Sequence, residues 1–337
     1  MKSSGGKQST RYADVIDYEF HELYEFMLTY LIILLDDRSA AYCHYEVART
    51  GRRLMDLNVL KQGIVWAMKE NLNIQFVYPD YELPAEYGAA IERIDHTKIK
   101  PSCQADAADV IVFDGWEAEV ADGATCVVRC SRRELANHLP TLTDWLRRMA
   151  RLNVVLTDVE TFSDADIDGY RETLERIADS LVGVYRQGGM AQLNLLTDRL
   201  VLNQMNNCGA GDTSITLAPD GRFYLCPAFY YDDEQQSVGD LATGLAIGNR
   251  QLLRLDHAPI CRVCDAYHCR RCVWMNRRLT GDLNTPSHQQ CVVTHVERNA
   301  SRYLQKRLEE VGIRLTDSRA IEEMTELDPF NIVNRWK

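Results

Sequence analysis

The chain has 337 residues, 46% of them hydrophobic, with 38 basic against 49 acidic side chains and a formal charge of −11. That length suits one large domain or two moderate ones, and the acidic balance argues against a surface built to neutralise phosphates, so no nucleic acid is expected as a partner. The longest apolar run, residues 27–35, is about half of a membrane-spanning helix, so no membrane partner is expected either. Residues 1–11 are polar and Gly/Ser-rich, without the apolar stretch of an export signal. Residues 1–27 are therefore read as a tail, and the cytoplasm as the compartment.

The elements follow in chain order. Residues 28–36 are an apolar, β-branched run that reads as a buried strand. Leu57, Leu60, Ile64, Ala67 and Met68 recur at helical spacing. Residues 74–78, 110–113, 125–128 and 153–156 read as further strands. Ser131, with Glu134 three residues on, is a capping box that opens a helix running toward residue 151. A second long helix spans 164–186, stops at Gly188-Gly189, and is followed by a strand over 191–196. Six strands alternating with helices predict an α/β fold, either an open parallel sheet or a partial barrel. Asp36, Asp80, Asp114, Asp158 and Asp198 each end a strand. Capping and loop turning account for all five together, ahead of a hydrolytic or metal role.

The cysteines carry the chemistry. There are eleven, and in a reducing compartment dense thiols point to metal or catalysis before disulfides. Cys43, Cys103, Cys126 and Cys130 are scattered, whereas Cys208, Cys226, Cys261, Cys264, Cys269, Cys272 and Cys291 crowd the back third. Pro219-Asp220-Gly221 is a turn signal that predicts a hairpin over 213–226, drawing together the approaches to Cys208 and Cys226. Cys261, Cys264, Cys269 and Cys272 form a Cys-x2-Cys-x4-Cys-x2-Cys block. Such a block is tighter than a zinc ribbon and closer to the dense runs of two-cluster ferredoxins. Seven thiols exceed one tetrahedral site. Seven arginines against Asp256 and Asp265 between residues 250 and 280 would favour an anionic thiolate centre. Cys103, Cys126 and Cys130 read as small core residues, and His44 beside Cys43 as an ordinary loop pair.

The seven-cysteine arrangement resembles the SPASM domain that follows the catalytic barrel of radical S-adenosylmethionine peptide-modifying enzymes and binds two auxiliary [4Fe–4S] clusters. The resemblance implies that Cys261, Cys264, Cys269 and Cys291 hold one cluster. Cys208, Cys226 and Cys272 would then supply three ligands of the other, the fourth coming from elsewhere or leaving an iron open to a substrate thiol. It implies a partial (β/α)6 radical-enzyme-like barrel over 28–204, a SPASM-like domain over 205–295, and a closing helix and tail over 296–337. The Cys-x3-Cys-x2-Cys loop that binds the radical cofactor's cluster in that superfamily reads Ser39, Cys43 and Glu46 here, and its Gly-Gly-Glu stretch is replaced by Tyr78-Pro-Asp-Tyr-Glu82. No S-adenosylmethionine is therefore expected. Residues 34–37 (LLDD), 42–45 (YCHY) and 75–84 (QFVYPDYELP) are similar to the maturases associated with CXXX-repeat peptides. That similarity implies a subunit of a ribosomal-peptide maturation system, acting beside a radical S-adenosylmethionine partner on a cysteine-repeat precursor, in precursor binding or electron relay. The competing reading is a zinc-stabilised scaffold without redox chemistry, in which His268, next to Cys269, replaces a thiol, with His257, His288 and His295 as weaker substitutes.

Overall fold

The computed structural model describes residues 28–47, 52–116, 119–269, 271–315 and 317–321. Seven parallel strands lie side by side in chain order: β1 (Tyr30–Leu34), β2 (Asn73–Val77), β3 (Thr97–Pro101), β4 (Val110–Phe113), β5 (Thr125–Cys130), β6 (Arg151–Leu156) and β7 (Gln192–Leu193). In register, Leu31 faces Ile74, Ile111 faces Cys126, and Cys126 faces Leu152. The order never reverses. With right-handed crossovers, such an order carries its helices to one side of the sheet, unlike a doubly wound sheet with its switch point.

Burial follows from position in the sheet. In β1, flanked by β2 and β8, four of five residues are buried, whereas β6, beside the two-residue edge strand β7, alternates between buried and half-buried residues. A central parallel strand is covered on both faces and must be apolar throughout. On the far side of β1, β8 (Ser214–Leu217) continues the sheet in parallel, and β9 (Phe223–Tyr224) returns antiparallel to it. The turn between them places Gly221 at φ +80°, a conformation glycine adopts without penalty. The hairpin leading into the cysteine-rich segment is thus joined to the first strand of the sheet.

The helices are α1 (Leu57–Lys69), α2 (Ala85–Ile91), α3 (Arg132–Asn137), α4 (Leu139–Arg148), α5 (Asp164–Arg186), α6 (Pro227–Asp232), α7 (Val273–Thr280) and α8 (His288–Glu310). The capping box of Ser131 and Glu134 is present. The single helix expected after it is divided at His138, because Pro140 opens α4 and a proline inside a continuous helix would lose its donor and clash with the preceding turn. α5 spans the expected residues, and beyond it Gly188 takes φ +86° while Gly189 N–H bonds Val184 O. α8 begins at a Ser287/Gln290 capping box, eight residues before the expected start of the closing helix at residue 296. It packs along α5, where the Tyr170 hydroxyl donates to Glu297 Oε1 at 2.8 Å.

The sequence reading missed β3 and α2. In β3 only Ile99 and Pro101 are buried, and Lys98 and Lys100 hide the strand in a polarity profile. The strand expected over 191–196 is cut to two residues, because Thr197 Oγ1 accepts Leu193 N–H and donates to Leu193 O, turning the chain. The strand-end acids serve loops and ion pairs. Asp80 pairs with Arg38, Asp158 with Arg132 and Asp198 with Arg151, while Asp36 accepts from Tyr81 Oη and Arg38 N–H. Among the described residues no helix is long and apolar enough to cross a membrane. The acidic stretch over 321–328, a candidate partner-binding tail, lies outside the described residues apart from Ile321.

Candidate metal centre

The loop after β1 is held from several sides. Ala40 N–H bonds Tyr78 O beyond β2, Arg129 Nε of β5 donates to Cys43 O at 2.8 Å, and His44 Nδ1 meets Leu156 O at the end of β6. The Tyr45 ring stacks on Tyr231 at 5.2 Å between centroids, and its hydroxyl donates to Ala40 O. The loop therefore crosses the carboxyl ends of several strands, where α/β proteins gather functional groups.

Its three positions that resemble the radical motif go separate ways. Ser39 is fully buried, its hydroxyl donating to Val77 O and accepting Asp36 N–H. Glu46 points outward to Arg129, with 72% of its side chain exposed. Cys43 turns inward and lines a cavity of about 270 Å³ together with Cys208, Cys226 and Cys272.

Local structure fixes each of those thiols. Cys208 precedes a tight turn in which Gly209 has φ +65° and its carbonyl accepts from Asp212, Thr213 and Ser214 N–H. A Cβ at Gly209 would lie 2.0 Å from Thr213 Oγ1, so only glycine fits. Cys226 ends the β-hairpin as the N-cap of α6, and Cys272 is the N-cap of α7. Neither cap sulfur makes a hydrogen bond to the first turn of its helix, but the backbone amides nearest them, Phe229 and Ala228 for Cys226 and Met275 for Cys272, act to lower the thiol pKa, as does Ala210 for Cys208. The buried guanidinium of Arg271 acts on Cys208 as a nearby cation. Burial pushes the Cys208, Cys226 and Cys272 thiols up. Neighbouring thiols raise Cys226 and Cys272 further: Cys208 and Cys43 act on the first, Cys43, Cys208 and Cys226 on the second. Cys208 keeps an exposed face, but the protein around its other sides still disfavours the bare thiolate. Four thiols line one cavity where unliganded thiolates are costly.

The other predicted cysteines gather against α8. Cys264 Sγ lies 3.4 Å from His295 Nε2, and Cys269 Sγ lies 3.8 Å from Thr294 Oγ1. Cys291 stands one helical turn before those two residues, at spacings that share a helix face. Cys261 opens a 3-10 turn whose carbonyl accepts Cys264 N–H. Asp265 is buried and ion-paired with Arg298 and Arg302. The segment is pinned by Arg199, which donates to Ala266 O, His268 O and, at 2.6 Å, Glu297 Oε2. Cys269 N–H bonds Asn206 O, so the approach to Cys208 runs beside the four-cysteine block.

The structure thus divides the seven predicted cysteines into two groups and adds Cys43 to one. Among the described residues, the only trio of His, Cys, Asp or Glu ligand atoms within 4.8 Å of one another is Cys264, Asp265 and His295. Thiolates around one zinc, with Zn–S near 2.3 Å, would sit roughly 3.8 Å apart, and in neither cysteine group do three sulfurs come within 4.8 Å of one another. His268, the expected substitute ligand, lies 3.7 Å from Asp198; His295 is the histidine brought against a cysteine. Cys126 and Cys130 are buried in β5, and burial raises Cys126 to about 11, as suits core thiols. Cys103 is exposed, contrary to the core role expected of it. Among the described residues no cysteine is in a disulfide.

These features define an α/β protein with two thiol groups at one flank of a parallel sheet. In comparisons with known proteins, no family model matches the chain and no curated protein matches it significantly.

Proposed function

We propose that the chain is a cluster-binding subunit of a peptide maturation system: a reduced relative of the radical S-adenosylmethionine enzymes, with a partial barrel and a SPASM-like cysteine segment. In this reading it works beside a radical-generating partner on a cysteine-repeat precursor, in precursor binding or electron relay. The observation that carries the reading is the folding of dispersed cysteines into two groups, each offering thiols to a metal centre. Bound [4Fe–4S] clusters would supply one-electron redox capacity or a Lewis-acidic iron. The chain's own residues would do the rest. Arg271 offsets anionic charge near Cys208, and Arg199 with Glu297 fixes the second group to α8. Ser39 and Glu46 are engaged elsewhere, which supports a front half that binds no S-adenosylmethionine.

Anaerobic purification followed by iron, sulfide and zinc analysis tests this. Brown protein with broad visible absorbance and matched iron and sulfide is expected. A colourless chain with stoichiometric zinc would sink the cluster reading, and reductive cleavage of S-adenosylmethionine by the chain alone would sink the account of the front half.

A second reading has one observation in its favour. The 3.4 Å separation of Cys264 Sγ and His295 Nε2, with Asp265 close by, is the edge length of a tetrahedral zinc site. A zinc-stabilised scaffold predicts that His295→Gln lowers zinc content. In the cluster reading, with ligands Cys261, Cys264, Cys269 and Cys291, iron content survives that change.

A further inference from the structure

We infer that Cys43 is the fourth thiolate of a four-cysteine site completed by Cys208, Cys226 and Cys272, so that the loop after β1 closes a polynuclear iron–sulfur centre that the cysteine-rich segment leaves one ligand short. This rests on the cluster-binding reading above and changes what that cluster can do. A centre with four protein thiolates has no iron open to a substrate thiol, so it suits electron relay or structural clamping.

Three observations carry it. The four cysteines line one cavity of about 270 Å³, although Cys43 stands 165 positions before Cys208 in the chain. The position of Cys43 is set by the rest of its loop: Arg129 on its carbonyl, His44 on β6, and Tyr45 stacked on Tyr231. Tyr231 lies in α6, the helix that Cys226 caps, so one packing contact ties the loop to a second ligand's element. Finally, the cavity wall is equipped for an anionic guest. Trp274, the second residue of α7, lines it, and its indole Nε1 is buried with no acceptor among the described residues. A buried donor left unmade costs free energy, and a thiolate or bridging sulfide in the cavity would accept from it. No three of the four sulfurs lie within 4.8 Å of one another, which fits several metal ions and bridging sulfides better than one zinc. Each ligating thiol gives its proton to solvent as the iron–sulfur bond forms, and two ferric with two ferrous ions and four sulfides make up the [4Fe–4S]2+ core without a further oxidant.

The same geometry gives Cys43 a single use. A thiol committed to Cys208, Cys226 and Cys272 cannot also hold a cluster at the mouth of the sheet, so the one cysteine surviving from the radical motif has passed to another centre.

The test uses the full chain reconstituted anaerobically with equal amounts of ferrous and ferric iron and with sulfide, beside Cys43→Ala, Cys43→Ser and, as a control, Cys103→Ala. Cys43→Ala is expected to lose one cluster's worth of iron or to convert it to a three-iron form visible by EPR. Cys43→Ser keeps the iron through an oxygen ligand and shifts the EPR signal, while Cys103→Ala matches wild type. Wild-type iron content and spectra in Cys43→Ala overturn the proposal. A second measurement does not depend on a variant folding: alkylation of the iron-loaded wild type, read by mass spectrometry. Cys43 should be protected together with Cys208, Cys226 and Cys272, and all four should react after chelation, with Cys103 labelled throughout. Protection of the other three with Cys43 alkylated overturns the inference and leaves the cluster-binding reading standing. A wild type that binds no iron removes both.

Discussion

The two cysteine groups lie beside each other in the fold but are built differently. The first draws its thiols from four separate places, the loop after β1, the turn before β8, and the caps of α6 and α7, around an open space. The second is arranged against one helix: Cys264 lies against His295, Cys269 against Thr294, and Cys291 is on the helix itself. Its buried charges are already paired as Arg199–Glu297 and Arg298–Asp265. A site whose polar groups satisfy one another can hold its shape before any guest arrives. A site whose thiols and indole N–H face a cavity is held only by its surrounding backbone, and gains most from being filled.

The sharpest way to break this contrast is to remove the second group's internal support. Arg199 and Glu297 have side chains 0% and 1% exposed and make a 2.6 Å bond. Arg199→Met leaves Glu297 as a buried charge and unties Ala266 and His268, so a destabilisation of about 3–5 kcal/mol is expected in urea unfolding. The first group's iron should survive in the folded fraction. A loss below about 1 kcal/mol would mean that the pair is an ornament of a segment held elsewhere.

The next effect falls on the first group's loop. Tyr45 is 2% exposed and stacks on Tyr231. Truncation in Tyr45→Ala is expected to cost roughly 3 kcal/mol. Tyr45→Phe, which loses only the hydrogen bond to Ala40 O, should cost about 1 kcal/mol. Chemical denaturation of both variants separates packing from hydrogen bonding. Equal losses would show that the ring contact contributes nothing to the loop.

How much of this was legible in the chain depends on the distance over which each feature is decided. Local signals were readable: the Ser131 capping box, the 164–186 helix with its Gly188-Gly189 stop, and the Pro219-Asp220-Gly221 hairpin depend on residues a few positions apart. β3 was hidden because its outward lysines outweigh one buried isoleucine. The seven back-third cysteines pointed by density to metal chemistry as the first expectation. The place of Cys43 among them could not be read, because it depends on β8 pairing with β1 and so bringing residues 208–226 beside the first loop. Its only sequence trace was its survival where Ser39 and Glu46 replaced its fellows. The preference for His295 over His268 was likewise hidden, since it depends on which face α8 turns toward the cysteine block.

A smaller prediction calibrates these against an ordinary cap. Ser131 accepts Glu134 N–H at the start of α3, far from either thiol group. Ser131→Ala should cost about 1 kcal/mol with no change in metal content. A change in bound metal would mean that the sheet transmits strain to the sites and that they are not locally supported.

The smallest effect is a titration at the start of α5. The Ser163 hydroxyl and N–H, followed by Arg132, hold the Asp166 carboxyl down from 3.8 to about 2. A carboxyl whose folded value lies below its unfolded one stabilises the fold above the unfolded value, and that contribution is lost as pH falls from about 4 through 2. NMR of the side-chain carboxyl should give a midpoint near 2 in the wild type and a higher one, toward 3.8, in Ser163→Ala, where the leading contributor is gone. A wild-type midpoint at the ordinary aspartate value would mean that the exposed capping box is open in solution much of the time. Helix ends here would then be looser than the buried pairs of Arg199 and Arg298, and the contrast between self-satisfied and guest-dependent sites would rest on burial rather than on hydrogen bonding.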